Sequence, residues 1–245
     1  MRQNREYRRV TFGQEPQSLL VMVTCIIGFT GQGKSTLAYH IAKRCDTRVI
    51  FDPRGQFHTC PAVLSNANGL YQLLDTNYEI IVRPGRGAEV EETFDETCRV
   101  VADWIEDNPH EKICLLVDEG RLVGVWSRST SLNFDWIVRS AREGSPIDVI
   151  ITCHRPVDLS TNIRAISNRL IFFRVMLPND VLAIEEQCGP EVAEQVGKLA
   201  DKECITWNNS RQQYRKVSDP AEWFVPIEKE EVTTYVSNSD TGAES

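Results

Sequence analysis

The stretch VMVTCIIGFTGQGKST, from Val21 to Thr36, organises this 245-residue chain. Its apolar and partly β-branched first half predicts a buried strand, and the residues after it carry apolar side chains at helical spacing. Between them, GFTGQGKS fits the phosphate-loop pattern G-x-x-x-x-G-K-[ST]. Because a glycine-rich turn with an accidental Lys-Ser pair would not need this strand–loop–helix context, the stretch predicts a site for a nucleoside triphosphate.

The predicted loop would bind phosphate chiefly through its backbone. Glycines let successive N–H groups point inward, and the start of the helix adds free N–H groups and its dipole. Lys34 is expected to reach the β- and γ-phosphate oxygens of ATP, and the Ser35 hydroxyl to ligate Mg²⁺. The predicted nucleotide-binding residues are Gly28, Phe29, Thr30, Gly31, Gln32, Gly33, Lys34, Ser35 and Thr36.

Composition places the chain among ordinary globular proteins, with 41% hydrophobic and 25% charged residues. The net charge of -8 means that the surface as a whole does not attract nucleic acid or anionic membrane. Any contact with DNA must therefore come from local basic loops or a lined channel. The first ten residues are basic, whereas the segment from Glu228 onward is acidic and rich in Ser, Thr and Asn.

The cysteines and the apolar segments predict a protein of a reducing compartment. No C-x-x-C pair occurs, which disfavours a zinc site or a disulfide framework and favours buried free thiols. The apolar run at residues 19–27 continues into the phosphate loop without a cleavage site, unlike a signal peptide, and no segment is long enough to span a membrane. We expect no secretion and no stable membrane insertion. The eight cysteines are Cys25, Cys45, Cys60, Cys98, Cys114, Cys153, Cys188 and Cys204.

Along the chain, strands alternate with helices, and the strands are apolar on both faces. This pattern predicts an α/β fold with a mostly parallel sheet flanked by helices. We expect an N-terminal arm at 1–18, one ATPase domain at 19–225 that ends in a hairpin, and an acidic disordered tail at 226–245. The longest predicted helix, residues 88–108, has an apolar stripe formed by Val90, Phe94, Cys98, Val101, Trp104 and Ile105.

A second motif, LLVDE, supplies the acids that a phosphate loop needs. Asp118 would stand at the carboxyl end of a buried strand, where it could hold the magnesium shell. Glu119 could then orient and deprotonate the attacking water, which favours hydrolysis over passive binding. The simpler alternative is that strands often end in acids because loops are polar, but the upstream phosphate loop favours the functional interpretation.

Four segments of the chain resemble, in their order, those of the FtsK–HerA superfamily of DNA-pumping ATPases, which have a RecA-like core. These segments are GFTGQGKS, IFDPRGQF, LLVDEG and SAREGSPIDVIITCHRPVDLSTNIRAISNRLIFFRV. The resemblance covers roughly residues 20–175. Chromosome, conjugation and filamentous-phage motors carry extra domains or membrane spans, and we expect neither here. It most resembles the genome-packaging ATPases of tailless viruses with an internal membrane.

The resemblance implies roles for two further residues. Arg142 lies where the family carries an arginine that reaches into a neighbouring subunit's active site; the alternative is a structural salt bridge to Glu143 or Asp148. His154 stands where the family usually has a glutamine that senses the γ-phosphate. A histidine can donate the same hydrogen bond, or it can be an ordinary residue at a strand end.

The leading hypothesis is a Mg²⁺-dependent ATPase that forms a ring, expected to be a hexamer, and pumps double-stranded DNA into a viral capsid. Its catalytic residues would be Lys34, Glu119, Arg142 and His154, with Ser35 and Asp118 as metal ligands. Capsid or portal-vertex proteins are candidate partners, and the host cytoplasm or the virion vertex is the expected location. Candidate DNA contacts are Arg83, Arg86, Arg121 and Arg128, although for any single one of them an ordinary solvated surface arginine is the favoured interpretation.

Other functions stay open at this point. The chain could be a nucleotide-gated assembly or scaffold protein, a translocase of the conjugation or chromosome type, or a small-molecule kinase. A kinase of this class would need an arginine-rich lid, and no clear lid segment is present in the sequence. Turnover that DNA stimulates would separate a pump from a scaffold and from a kinase.

Overall fold

The computed structural model describes residues 9–10, 22–58, 62–87, 89–124, 131–218 and 232–233. In chain order, the strands are β1 (Arg9–Val10), β2 (Val23–Ile27), β3 (Thr47–Phe51), β4 (Ala62–Leu64), β5 (Glu79–Val82), β6 (Ile113–Val117), β7 (Ile147–Cys153), β8 (Arg169–Phe173), β9 (Cys204–Asn208), β10 (Gln213–Val217) and β11 (Val232–Thr233). The α-helices are α1 (Lys34–Ala42), α2 (Leu70–Leu74), α3 (Glu89–Asp107), α4 (Leu132–Glu143), α5 (Thr161–Ile166), α6 (Pro178–Cys188) and α7 (Pro190–Gly197).

Nine strands form one sheet in the order β10-β9-β8-β2-β7-β6-β3-β5-β4. The seven strands from β8 to β4 are parallel, while β9 and β10 form an antiparallel hairpin at one edge. The predicted α/β fold, its mostly parallel sheet and its terminal hairpin are thereby confirmed. One feature of the order matters for the site: β7 lies between β2, which leads into the phosphate loop, and β6, which leads into Asp118.

The parallel strands are apolar on both faces because helices cover both. Alternate residues of β2 point to opposite sides, so that Cys25 and Ile27 join one core and Ile26 joins the other. The smaller core packs against α1, and the larger one against α3, α4, α6 and α7. In α3, the apolar stripe predicted from the sequence is buried apart from Val90, which packs at its margin.

In the nine-stranded sheet and the α-helices around it, two short elements were not predicted. β4 adds three residues to the sheet edge beside β5, in a stretch whose sequence pattern is mixed. α5 has six residues and is capped at its N-terminus by Ser160, whose hydroxyl accepts a hydrogen bond from the Ile163 N–H at 3.2 Å. Both elements are too short for hydrophobic periodicity to reveal them.

The seven cysteines within the described ranges are free and buried, as predicted, and Cys60 lies outside those ranges. Arg9–Val10 and Val232–Thr233 pair as a separate antiparallel ladder. Most of the predicted arm and tail lies outside the described residues, so their extents stay predictions. Within the described part of the chain, no helix is both long enough and apolar enough to cross a membrane.

Candidate nucleotide site

The phosphate loop joins β2 to α1, and its glycines fix its path. The Gly28 N–H donates to the Cys153 carbonyl of β7 at 3.2 Å. A Cβ atom at Gly28 would lie 2.5 Å from the Cβ of Phe173, so only glycine fits where the chain leaves the sheet. Gly33 precedes α1 with φ 99°, a left-handed conformation that glycine adopts without strain. The predicted strand–loop–helix unit is confirmed.

Hydrogen bonds made by the side chains of Gln32 and Lys34 hold the backbone of the phosphate loop in place. Gln32 Oε1 accepts from the Phe29 N–H at 2.8 Å, and Gln32 Nε2 donates to the Arg174 carbonyl at 3.3 Å. Lys34 Nζ donates to the Phe29 carbonyl at 3.1 Å. Burial lowers the pKa of Lys34, and the negative charge of Glu119 opposes this shift. Since no side chain of the described residues caps α1, its first N–H groups and its dipole face the loop and suit a phosphate anion.

Asp118 follows β6 and faces the loop. Its Oδ1 accepts from the Ser35 hydroxyl at 3.1 Å and from the Thr152 hydroxyl at 2.8 Å. Burial raises the pKa of Asp118, while the hydrogen bonds from Thr152 and Ser35 lower it. The sheet register accounts for the role of Thr152: Val117 pairs with Ile151, which places Asp118 beside the next residue of β7.

Ser35 and Asp118 fit the predicted magnesium site. Asp118 Oδ2 is buried and has no hydrogen-bond partner among the described residues, as expected of an oxygen that a bound cation would satisfy. No group of three or more His, Cys, Asp and Glu side chains in the same residues could hold a metal ion. The remaining ligands would therefore be phosphate oxygens and water, which is usual for Mg²⁺.

Glu119 has an unusual backbone and a buried carboxylate. Its φ and ψ are both 57°, a left-handed conformation that is uncommon for residues other than glycine and concentrates at functional sites. Its N–H donates to Thr152 Oγ1 at 3.0 Å. Its Oε1 lies 2.6 Å from His154 Nε2, and its Oε2 lies 3.9 Å from Arg54 Nη2. The structure thus brings His154 into the site, in contact with Glu119.

Arg142 lies at the opposite end of the sheet. It is exposed in the last turn of α4, which precedes the start of β7, whereas His154 follows the end of that strand. Seven residues of strand span roughly 20 Å, so Arg142 cannot reach the phosphate loop of its own subunit. Among the described residues it forms no ion pair, and the Asp148 carboxylate is bound instead by Lys112 at 3.0 Å and by the Met22 N–H at 2.9 Å.

The arginines that we considered for DNA binding differ in their surroundings. Arg83 donates to Asp52 Oδ2 at 2.9 Å and to the Phe57 carbonyl at 2.6 Å, which gives it a structural role. Arg121 is largely exposed and lies 3.6 Å from Asp158. Arg86 is exposed. The remaining candidate, Arg128, lies outside the described residues.

Three residues of the site were missed in the sequence. The Thr152 hydroxyl, on the neighbouring strand β7, donates to the Asp118 carboxylate and accepts from the Glu119 N–H. Arg54 and Gln56 reach the site from the segment after β3. Gln56 Oε1 accepts from the Ser35 hydroxyl at 2.9 Å. The signal for the last two was available, since Asp-Pro-x-Gly is the signature of a type I turn at the carboxyl end of a strand. No sequence signal marks Thr152, because its role depends on strand register.

A phosphate loop after β2, an acid after β6 and one strand inserted between them define the class. The fold is that of the P-loop NTPases, with a mostly parallel sheet flanked by helices, as the sequence predicted.

Solved structures share this fold. B204 from Sulfolobus turreted icosahedral virus 2, a genome packaging NTPase solved with ATPγS, is 15% identical, with 80% of this chain and 95% of that chain covered and a TM-score of 0.67. With sulfate, the same protein matches at 15% identity, 80% and 96% coverage and a TM-score of 0.68. B204 from Sulfolobus turreted icosahedral virus, a DNA-packaging ATPase, is 16% identical, with 80% of this chain and 96% of that chain covered and a TM-score of 0.61. No family model and no curated protein matches this chain.

Proposed function

We propose that this protein is a Mg²⁺-dependent ATPase, that it assembles as a ring expected to be a hexamer, and that it pumps double-stranded DNA into a viral capsid. The observation that carries the ATPase assignment is the convergence of Ser35, Asp118 and Glu119 beside the phosphate loop. The fold shared with packaging NTPases supports the pumping role. The protein would act in the host cytoplasm or at the virion vertex.

In this proposal, the loop N–H groups and Lys34 hold the β- and γ-phosphates of ATP. Bound Mg²⁺, held by Ser35 and Asp118, would neutralise phosphate charge. Glu119 orients a water molecule for in-line attack on the γ-phosphate and accepts its proton. The nucleoside would occupy a cavity of about 260 Å³ next to the loop, lined by Phe29, Thr30, Gly31, Gln32, Arg174, Asp201 and Lys202.

The deciding experiment is ATPase turnover with and without double-stranded DNA, together with the mass of the assembly. A pump should form a ring and hydrolyse ATP faster when DNA is present. A ring that hydrolyses ATP at one rate regardless of DNA would contradict pumping and would favour the nucleotide-gated scaffold.

DNA binding should depend strongly on salt and little on sequence, because a pump must accept any stretch of its substrate. In a protein of net charge -8, the contacts would come from a few exposed arginines. The logarithm of affinity should fall against the logarithm of salt with a slope of about -0.9 per neutralised phosphate. Arg86→Gln and Arg121→Gln should make this slope shallower. Arg139→Gln serves as the control, because Arg139 pairs with Asp135 on α4.

Thr152→Val should lower both stability and turnover. The change keeps the shape of the side chain, but it removes a donor to Asp118 and leaves the buried Glu119 N–H without its acceptor. An unpaired buried group costs about 1–3 kcal/mol, which urea unfolding can measure. The control is Thr97→Val, since buried Thr97 donates only to the Thr93 carbonyl of its own helix. Equal effects of the two changes on turnover would refute the role of Thr152.

A further inference from the structure

The turn after β3 is a rigid support for an exposed arginine. Asp52, Pro53, Arg54 and Gly55 form a β-turn in which the Gly55 N–H donates to the Asp52 carbonyl at 3.3 Å. The residue types suit a type I turn, with Asp first, Pro second and Gly fourth. Arg54, in the third position, points away from the protein interior, with 48% of its side chain exposed.

Buried contacts prevent this turn from moving. The Asp52 side chain is fully buried and accepts from the Gln56 N–H at 2.8 Å and the Phe57 N–H at 3.0 Å. Arg83 binds both the Asp52 carboxylate and the Phe57 carbonyl, as described above. A carboxylate bound by two backbone N–H groups and a guanidinium is a strong anchor, so the turn presents the residues at its tip in fixed positions.

The exposed side chains of Arg54 and of Gln56, the residue after the turn, both reach the nucleotide site. Gln56 accepts from the hydroxyl of Ser35, the predicted metal ligand. Arg54 approaches Glu119, and its positive charge adds to the effect of burial in lowering the pKa of Lys34. The guanidinium therefore lies within electrostatic range of the lysine that the γ-phosphate would contact.

The contact between Arg54 and Glu119 is a weak one. At 3.9 Å it exceeds hydrogen-bond length, and a half-exposed ion pair contributes little. A phosphate group carries more negative charge than a carboxylate and matches the planar fork of a guanidinium. An arriving terminal phosphate would thus compete successfully with Glu119 for Arg54.

We propose that Arg54 binds the γ-phosphate within its own subunit and leaves Glu119 when ATP enters. The site then distinguishes ATP from ADP through Arg54, and the Glu119 carboxylate keeps its contact with His154 and becomes available to water. This inference rests on the proposed function, because it assumes that the loop binds ATP.

The test compares affinities for ADP and for β,γ-methylene ATP, which resists hydrolysis. Arg54→Ala should weaken binding of the analogue about 10- to 100-fold, the range for one charge-assisted hydrogen-bonding group, and should change ADP binding little. Arg54→Lys should recover part of the loss because it retains the charge. Arg139→Ala, an exposed arginine of α4, should change neither affinity.

The outcomes separate this inference from the proposed function. If Lys34→Ala abolishes binding of both nucleotides but Arg54→Ala leaves their affinity ratio unchanged, Arg54 is not a γ-phosphate ligand and the ATP site stands. An equal loss of both affinities in Arg54→Ala would also overturn the inference, because ADP has no γ-phosphate. If the unaltered protein binds neither nucleotide, the proposed function itself fails.

Discussion

Glu119→Gln is expected to retain ATP binding and to lower turnover by about 10²–10⁴-fold, the usual contribution of a general base. The amide has the shape of the carboxylate, and the N–H bond to Thr152 and the contacts of Asp118 do not depend on the lost charge. The amide cannot accept a proton from water at neutral pH. The measurement is steady-state phosphate release alongside nucleotide affinity.

Two further variants make this prediction specific. Lys34→Ala should lose both binding and turnover, because the ammonium group lies inside the phosphate loop. Glu143→Gln should alter neither, since Glu143 is exposed at the far end of the sheet. If Glu119→Gln hydrolysed ATP at the unaltered rate, the catalytic role would belong to another residue.

The parts of the site that are contiguous in sequence could be predicted from it. GFTGQGKS places glycines, Lys34 and Ser35 on one turn, and the order of residues alone fixes their relative positions. LLVDE could be interpreted because α/β sheets bind ligands at the carboxyl ends of their parallel strands. The parallel sheet followed from apolar strands that alternate with helices.

The parts that depend on strand order and register could not be predicted. Thr152 meets Asp118 only because β7 lies beside β6 with Val117 opposite Ile151. Gln56 and Ser35 are 21 residues apart in the sequence. They meet because the segment after β3 and the phosphate loop lie at the same edge of the sheet. The left-handed conformation of Glu119 could not be predicted from its residue type, because residues other than glycine rarely adopt it. The structural role of Arg83 could not be predicted either, because its buried partner Asp52 lies 31 residues away in the sequence.

Arg142→Ala is expected to reduce the turnover of an assembled ring by about 10³–10⁵-fold, the range for arginines that reach a phosphate from a neighbouring molecule. Arg142 lies too far from its own loop to act there, and it is exposed where a second subunit could receive it. The control is Arg139→Ala on the same helix, whose side chain pairs with Asp135 at 2.7 Å and should be dispensable.

Mixed rings separate a role in the neighbouring subunit from a structural one. Rings of Arg142→Ala alone and of Glu119→Gln alone should both be nearly inactive. A ring that contains both should regain activity, because each Glu119→Gln subunit still offers its arginine to an Arg142→Ala neighbour whose glutamate is intact. Mass measurement confirms that mixed rings form. If they form and stay as inactive as either parent, Arg142 does not act on the neighbouring site, and its loss must act through the stability or assembly of the ring.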